Sequence, residues 1–275
     1  MLHVGRVLVG YDFDQAADSA LEEVGEVARH LGAELHLVHA LAGLRREDPA
    51  FAARAGYAAR RLEVVRAGLE GRGLEASPRL LVAGGDPAQV ILDAAAELLP
   101  DVLALGTGRR TSLVRTLLGV TADHVLRRSP WPVWLVRPGR PQTRLRTILC
   151  ACDGAPRHEA LGLAATLAQA LAAELTLLTV VPPLHQGGAT WASQALLHEL
   201  APGLGASQHL TRHGEATALI TETATRTGAQ LVVLGSSFRQ NAGSLFGASI
   251  AERLLRVLPC SLLAVRAPAR VLAPA

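Results

Sequence analysis

The sequence predicts two tandem α/β domains, each a five-stranded parallel sheet with helices on its faces. Three observations predict it. The second half of the chain repeats the first, short apolar runs alternate with helical segments, and the composition is aliphatic. At 275 residues the chain is long for one compact core and comfortable for two. It is 49% hydrophobic but only 3% aromatic, so Leu, Val, Ile and Ala must build the interior. That composition suits buried parallel strands covered by Ala/Leu-rich helices.

The repeat is the decisive signal. RVLVGYD, ending at Asp12, matches TILCACD, ending at Asp153, an offset of 141. Ala33-Glu34-Leu35 then matches Ala173-Glu174-Leu175 at 140. Beyond a variable middle the offset is 129, which carries Gly85-Asp86 onto Gly214-Glu215 and Gly106 onto Gly235. The same 129 takes Asp123 onto Glu252, Arg127 onto Arg256 and Pro130 onto Pro259. The second copy is therefore shortened by a net 11 residues between its second and third strands. Arg137-Pro138-Gly139-Arg140-Pro141-Gln142-Thr143, with two prolines and a glycine, reads as a stiff linker. It places the domains at 1–140 and 141–275.

Each copy reads in one order. A first strand (Val7–Gly10; Ile148–Ala151) leads to a loop acid and a helix (15–31; 156–172). A second strand (Glu34–Ala40; Glu174–Val181) and a helical segment (48–71; 190–200) follow. Then come a third strand (Pro78–Ala83; Gln208–His213), a helix (87–98; 216–227) and a fourth strand (Val102–Leu105; Leu231–Leu234). A Gly/Ser-bearing loop, a helix (119–128; 248–257) and a fifth strand (Val133–Val136; Leu262–Val265) close the unit. Apolar runs without period-two polarity, alternating with helices, indicate a parallel sheet. Ligands of such sheets bind at the carboxyl ends of the strands, so function is expected in the loops after strands one, two and four.

Composition also excludes chemistry. All 27 basic residues are Arg, so there is no P-loop lysine and no Schiff-base lysine. The net charge of +3 without a basic run beyond Arg pairs does not describe a nucleic-acid footprint. Three cysteines without a CxxC pair suit a reducing compartment, and Cys150 and Cys152 share one face of a strand. No apolar stretch reaches the roughly 18–20 residues of a membrane span, and no signal-peptide pattern opens the chain, so a cytoplasmic protein is expected. His36 and His39 fall on opposite strand faces, and His209 and His213 lack a third ligand, so no metal site is expected. Nor does a nucleophile elbow, paired carboxylates or a Ser-His-Asp signature appear.

Asp12 and Asp153 follow the first strands, where a carboxylate can accept from ribose or adenine donors or cap the next helix. After strand four, Gly106 and Gly108 permit tight turns and close approach of a ligand. Gly119 with Thr121 opens the last helix, whose N–H groups and dipole form an anion site. Arg109, Arg110 and Arg115 could neutralise phosphate.

With these residues in place the chain resembles the universal stress protein family across both copies. Further likenesses are Leu37-Val38-His39-Ala40, Gly85-Asp86-Pro87-Ala88 and the tail Val125 to Val133. The resemblance implies tandem Rossmann-like domains of the adenine nucleotide alpha hydrolase-like kind. It also implies a G-x2-G-x9-G-[ST] loop around the phosphates and ribose of ATP, with Mg2+ as a companion ion. Contacts are implied from the first-strand ends (Gly10, Asp12, Asp153) and the second-strand ends (Ala40, Val180). Both loops depart from the motif. Arg109 stands where the second glycine belongs and Val120 where the hydroxyl belongs, with Gly108 and Thr121 adjacent. The second copy has Gly235, then Phe238 for a glycine, Gly247 one residue early, and Ser249 for the hydroxyl. The expected function is a nucleotide-binding stress protein without dedicated catalysis, at most a slow ATPase, the alternative being a scaffold with decayed loops. The family also implies that the two fifth strands pair antiparallel as an intrachain pseudo-dimer, flanked by Trp131 and Trp134; association of two chains is left open.

Overall fold

The structure is a computed structural model that describes residues 4–74, 79–108, 119–138, 144–152, 158–181, 203, 205–235 and 250–265. The first half holds β1 (Arg6–Gly10), α1 (Gln15–Leu31), β2 (Glu34–Ala42), α2 (Phe51–Glu70), β3 (Arg79–Gly85), α3 (Pro87–Leu98), β4 (Val102–Gly106), α4 (Val120–Arg128) and β5 (Val133–Val136). The second holds β6 (Thr147–Cys152), α5 (His158–Leu171), β7 (Glu174–Val181), β8 (Gln208–His213), α6 (Ala216–Thr227), β9 (Leu231–Leu234), α7 (Ile250–Val257) and β10 (Ser261–Ala264). The helix expected over 190–200 and most of the linker lie outside the described residues.

The strands join one ten-stranded sheet in the order β3-β2-β1-β4-β5-β10-β9-β6-β7-β8. Within each half every pairing is parallel, and the order reverses direction between β1 and β4 and again between β6 and β9. The halves meet as the family likeness implied. β5 and β10 run antiparallel, with Leu135 opposite Leu262, Trp134 opposite Leu263 and Val133 opposite Ala264. Each would otherwise be an open sheet edge.

Because side chains alternate across a strand, the sheet feeds two apolar layers. Val7 and Val9 pack with Ala17, Leu21, Val24 and Leu62 on one face, which α1, α2 and α5 cover. Leu8 packs with Ala88, Ile91, Ala95 and Val125 on the other, which α3, α4, α6 and α7 cover. The helices start and stop on local chemistry. Asp14 accepts from the Ala17 amide at 2.7 Å, and Gly32, at φ 63°, ends α1. Asp86 followed by Pro87 opens α3, and Glu215 caps α6 through the Ala218 amide at 2.8 Å.

One device is repeated by position. Asp101 Oδ2 accepts from the amides of Gly5 and Arg6 at 2.7 and 2.9 Å, at the start of β1. Gln230 Oε1 does the same for Arg146 and Thr147 at 2.5 and 3.3 Å, at the start of β6. The cysteines are core residues: Cys150, Cys152 and Cys260 are all buried. Burial, then the nearby Glu23 carboxylate, pushes the Cys260 thiol up to about 12.

Candidate functional site

A cleft of about 280 Å³ opens where the strand order of the first half reverses, at the carboxyl ends of β1, β2 and β4. Gly10, Asp12, Ala40, Gly106, Gly108, Gly119, Val120 and Thr121 all line it. Residues far apart in sequence are thus brought to one place, and the first-half candidates Arg109, Arg110 and Arg115 lie outside the described residues. Val38, Ala42, Pro87, Ile91 and Leu105 give it an apolar lining. Asp12 and the backbone at the start of α4 add polar groups.

Asp12 is not the helix cap. Asp14 takes that role, and Asp12 Oδ1 instead accepts from the Asp14 amide at 3.2 Å, leaving the carboxylate at the cleft mouth. Loss of water around it, then repulsion from the Asp14 carboxylate, holds the Asp12 carboxyl above its ordinary range. The sign for stability follows from linkage. The folded state binds the Asp12 proton more tightly than the unfolded chain, so stability falls as pH rises from about 4 through the raised folded pKa. Asp12→Asn keeps the acceptor for the Asp14 amide and removes the charge. Thermal melts between pH 4 and 7 should show a variant at least as stable as the parent at pH 7, with a smaller gain on acidification. A steeper acid-side gain in the variant would contradict this account.

Between the two aspartates Phe13 adopts φ 66°, a left-handed conformation that a bulky residue rarely takes. Its ring lies 5.2 Å from Tyr11 and 4.8 Å from His39, and the Arg61 guanidinium sits 4.0 Å above it. His39 Nδ1 lies 2.8 Å from the Tyr11 carbonyl; a carbonyl only accepts, so Nδ1 carries the proton. Tyr11 donates to the Asp18 carboxylate, and burial with that bond raises its phenol. This clasp around the Asp12 turn escaped the sequence reading. Its signal was available: Gly154 matches Phe13 at the offset of 141, and glycine marks a position that needs positive φ.

The two glycines of β4 and its loop serve different ends. A Cβ on Gly106 would lie 2.4 Å from the carbonyl carbon and oxygen of Ala16, so its missing side chain admits α1 rather than a ligand. Gly108 instead stands beside Gly119, whose added Cβ would be 4.0 Å from the Gly108 amide nitrogen. The chain therefore leaves and re-enters the cleft at one point. Gly119 starts α4 without a side-chain cap, and the first backbone bond runs from Asp123 N to Gly119 O at 2.9 Å. The amides of Val120, Thr121 and Ala122 accordingly have no intrahelical acceptor at the cleft wall. Val120 is 73% exposed there, an apolar side chain where a hydroxyl was expected.

In the second half Gly235 directly follows β9 and Val180 is buried in β7, whereas Asp153, Gly247 and Ser249 lie outside the described residues. Among the described residues no three His, Cys, Asp or Glu side chains could hold a metal ion together, and no helix is long and apolar enough to cross a membrane. His209 Nε2 lies 3.0 Å from Thr179 Oγ1.

The sequence model of the universal stress protein family matches this chain twice, over residues 3–137 and 144–266. The chain belongs to the universal stress protein family. As a tandem universal stress protein it is similar in fold to solved structures. One is a universal stress protein from Archaeoglobus fulgidus, with TM-score 0.79 and 18% identity over 96% of this chain and 99% of that one. Another is a Pseudomonas aeruginosa protein assigned to the same family, with TM-score 0.71 and 21% identity over 96% and 93%. No curated protein matches the chain significantly.

Proposed function

We propose that the first half of this universal stress protein binds an adenine nucleotide, ATP or a close relative, as a signal rather than as a substrate. One observation carries the reading: Asp12, the Gly106–Gly108 turn and the uncapped start of α4 surround a single cleft at the strand-order reversal. The apolar lining of Val38, Ala42, Ile91 and Leu105 suits a planar base. The Asp12 carboxylate accepts from ribose or amino donors, and such hydrogen bonds would favour its charged form against the loss of water that raises its pKa. The amides at Val120–Ala122 with the Thr121 hydroxyl receive phosphate oxygens, and Mg2+ would travel on those phosphates.

Occupancy has a mechanical consequence in this reading. α4 carries the anion site at one end and Arg127 at the other. Arg127 Nη2 pairs with Glu252 Oε1 of α7 at 2.6 Å, across the seam between the halves. A ligand that orders the start of α4 thereby acts on a helix tied to the second half. A role in stress response and a cytoplasmic location belong to the same proposal.

Melting the purified chain in millimolar ATP, with and without Mg2+, tests it. Ligand at a hundred times its dissociation constant should stabilise by about 2.7 kcal/mol. No shift under either condition would leave the scaffold reading in its place, and rapid ATP turnover would make the protein an enzyme.

A further inference from the structure

We infer that the second half is a plugged copy, so that the chain takes one adenine nucleotide, in the first half, and that Gly10, Val38 and Ala40 are the residues that keep that site open. The inference rests on the nucleotide reading above and adds to it which half is used and what decides this.

Strand register makes the comparison position by position. In the first half Gly10 pairs with Val38 on one side and Leu105 on the other. In the second half Ala151 occupies the same register between Leu178 and Leu234. Ala40, two residues beyond Val38, corresponds to Val180, two beyond Leu178. Glycine becomes alanine, valine becomes leucine and alanine becomes valine. Each change adds carbon, and each falls on a residue that lines the first cleft. Ala151, Leu178 and Val180 are all 0% exposed.

The glycine controls more than its own volume. A Cβ on Gly10 would lie 2.4 Å from Leu105 Cδ2 and 3.0 Å from Ile91 Cδ1. Leu105 therefore lies over the bare backbone of Gly10, and that placement clears the cleft in front of it. Leu234 and Ile220 stand in the matching places of the second half. The Ala151 methyl denies Leu234 the space that Leu105 uses, so Leu234 must stand elsewhere, beside a bulkier Leu178 and Val180. Dense packing leaves no slack to absorb four extra carbons without filling the void.

Equilibrium dialysis or calorimetry of the full chain with ATP should give one site per chain. The double variant Val38→Leu, Ala40→Val gives the first half the side chains of the second at these two positions. It should weaken ATP binding at least tenfold while the ligand-free melting temperature stays within a few degrees of the parent. Two sites per chain would overturn this inference and leave the nucleotide reading standing. One site that survives the double variant would also overturn it, because either the ligand would be in the second half or the bulkier side chains would not close the first. No binding by the parent would instead remove the nucleotide reading itself.

Discussion

Replacing Gly106 by alanine should destabilise the protein by about 2–3 kcal/mol, whereas Gly235→Ala should change stability by less than about 0.5 kcal/mol. The two glycines occupy the same place in the two repeats, at the end of β4 and directly after β9. A side chain on Gly106 would meet the Ala16 carbonyl carbon and oxygen at 2.4 Å and the Ala16 Cβ at 2.8 Å. Those atoms belong to the first turn of α1, fixed by the Asp14 cap, so the whole helix must retreat from the sheet. Among the described residues, a Cβ on Gly235 would lie 3.6 Å from Ala160 Cβ and 3.9 Å from the Ala151 carbonyl oxygen, which is ordinary contact. Neither glycine has positive φ, so backbone strain does not enter the comparison. Urea denaturation of the two variants beside the parent measures it. Equal losses from both would show that the approach of α1 is not what demands glycine at Gly106.

Trp134→Ala should cost about 3–5 kcal/mol, the ordinary range for emptying a large buried site. Trp134 is 1% exposed, lies in β5 opposite Leu263 of β10, and donates its indole N–H to Glu23 Oε1 at 3.0 Å. One side chain thus fills the seam between the halves and hydrogen-bonds a wholly buried carboxylate of α1. Trp134→Phe separates the two roles. It keeps most of the ring volume and removes one donor from Glu23, so it should cost about 1–3 kcal/mol. Denaturant unfolding of both variants is the measurement, with the midpoint and the steepness of the transition as readouts. A Trp134→Ala protein that unfolds in two separated steps would show that the seam joins the halves into one cooperative unit. A Trp134→Phe protein as stable as the parent would mean that the indole bond contributes nothing to holding Glu23.

Much of this architecture was legible because its signals are local. Gln15–Leu31 and Pro87–Leu98 appear at their expected bounds. There an acid at the cap and either Gly32 or Pro87 mark a boundary that backbone geometry enforces. Strands Val133–Val136, Glu174–Val181 and Leu231–Leu234 also match, since runs dominated by Leu and Val, broken in β7 only by Glu174 and two threonines, are satisfied inside a buried sheet. β10 begins one residue earlier than expected, at Ser261, because the parallel partner β9 pairs Ser261 with Leu231, and pairing rather than hydrophobicity sets where a strand starts.

The site was legible only in part, and the reason is again physical. Position after the first strand marked Asp12, yet two aspartates two residues apart are equally able to cap a helix. The left-handed turn at Phe13 sits between them, a conformation that phenylalanine itself does not announce and that only the matching Gly154 of the second copy hints at.

By itself the sequence determined the duplication, the parallel sheets and the family, because repetition and apolar periodicity are carried residue by residue along the chain. Tertiary structure decided which aspartate faces the cleft, why Gly106 has no side chain, and that Glu23 and Trp134 meet across 111 residues of chain. Those outcomes depend on which atoms arrive at the same point in space, and the distance between two atoms of a folded chain is not a property of either residue alone.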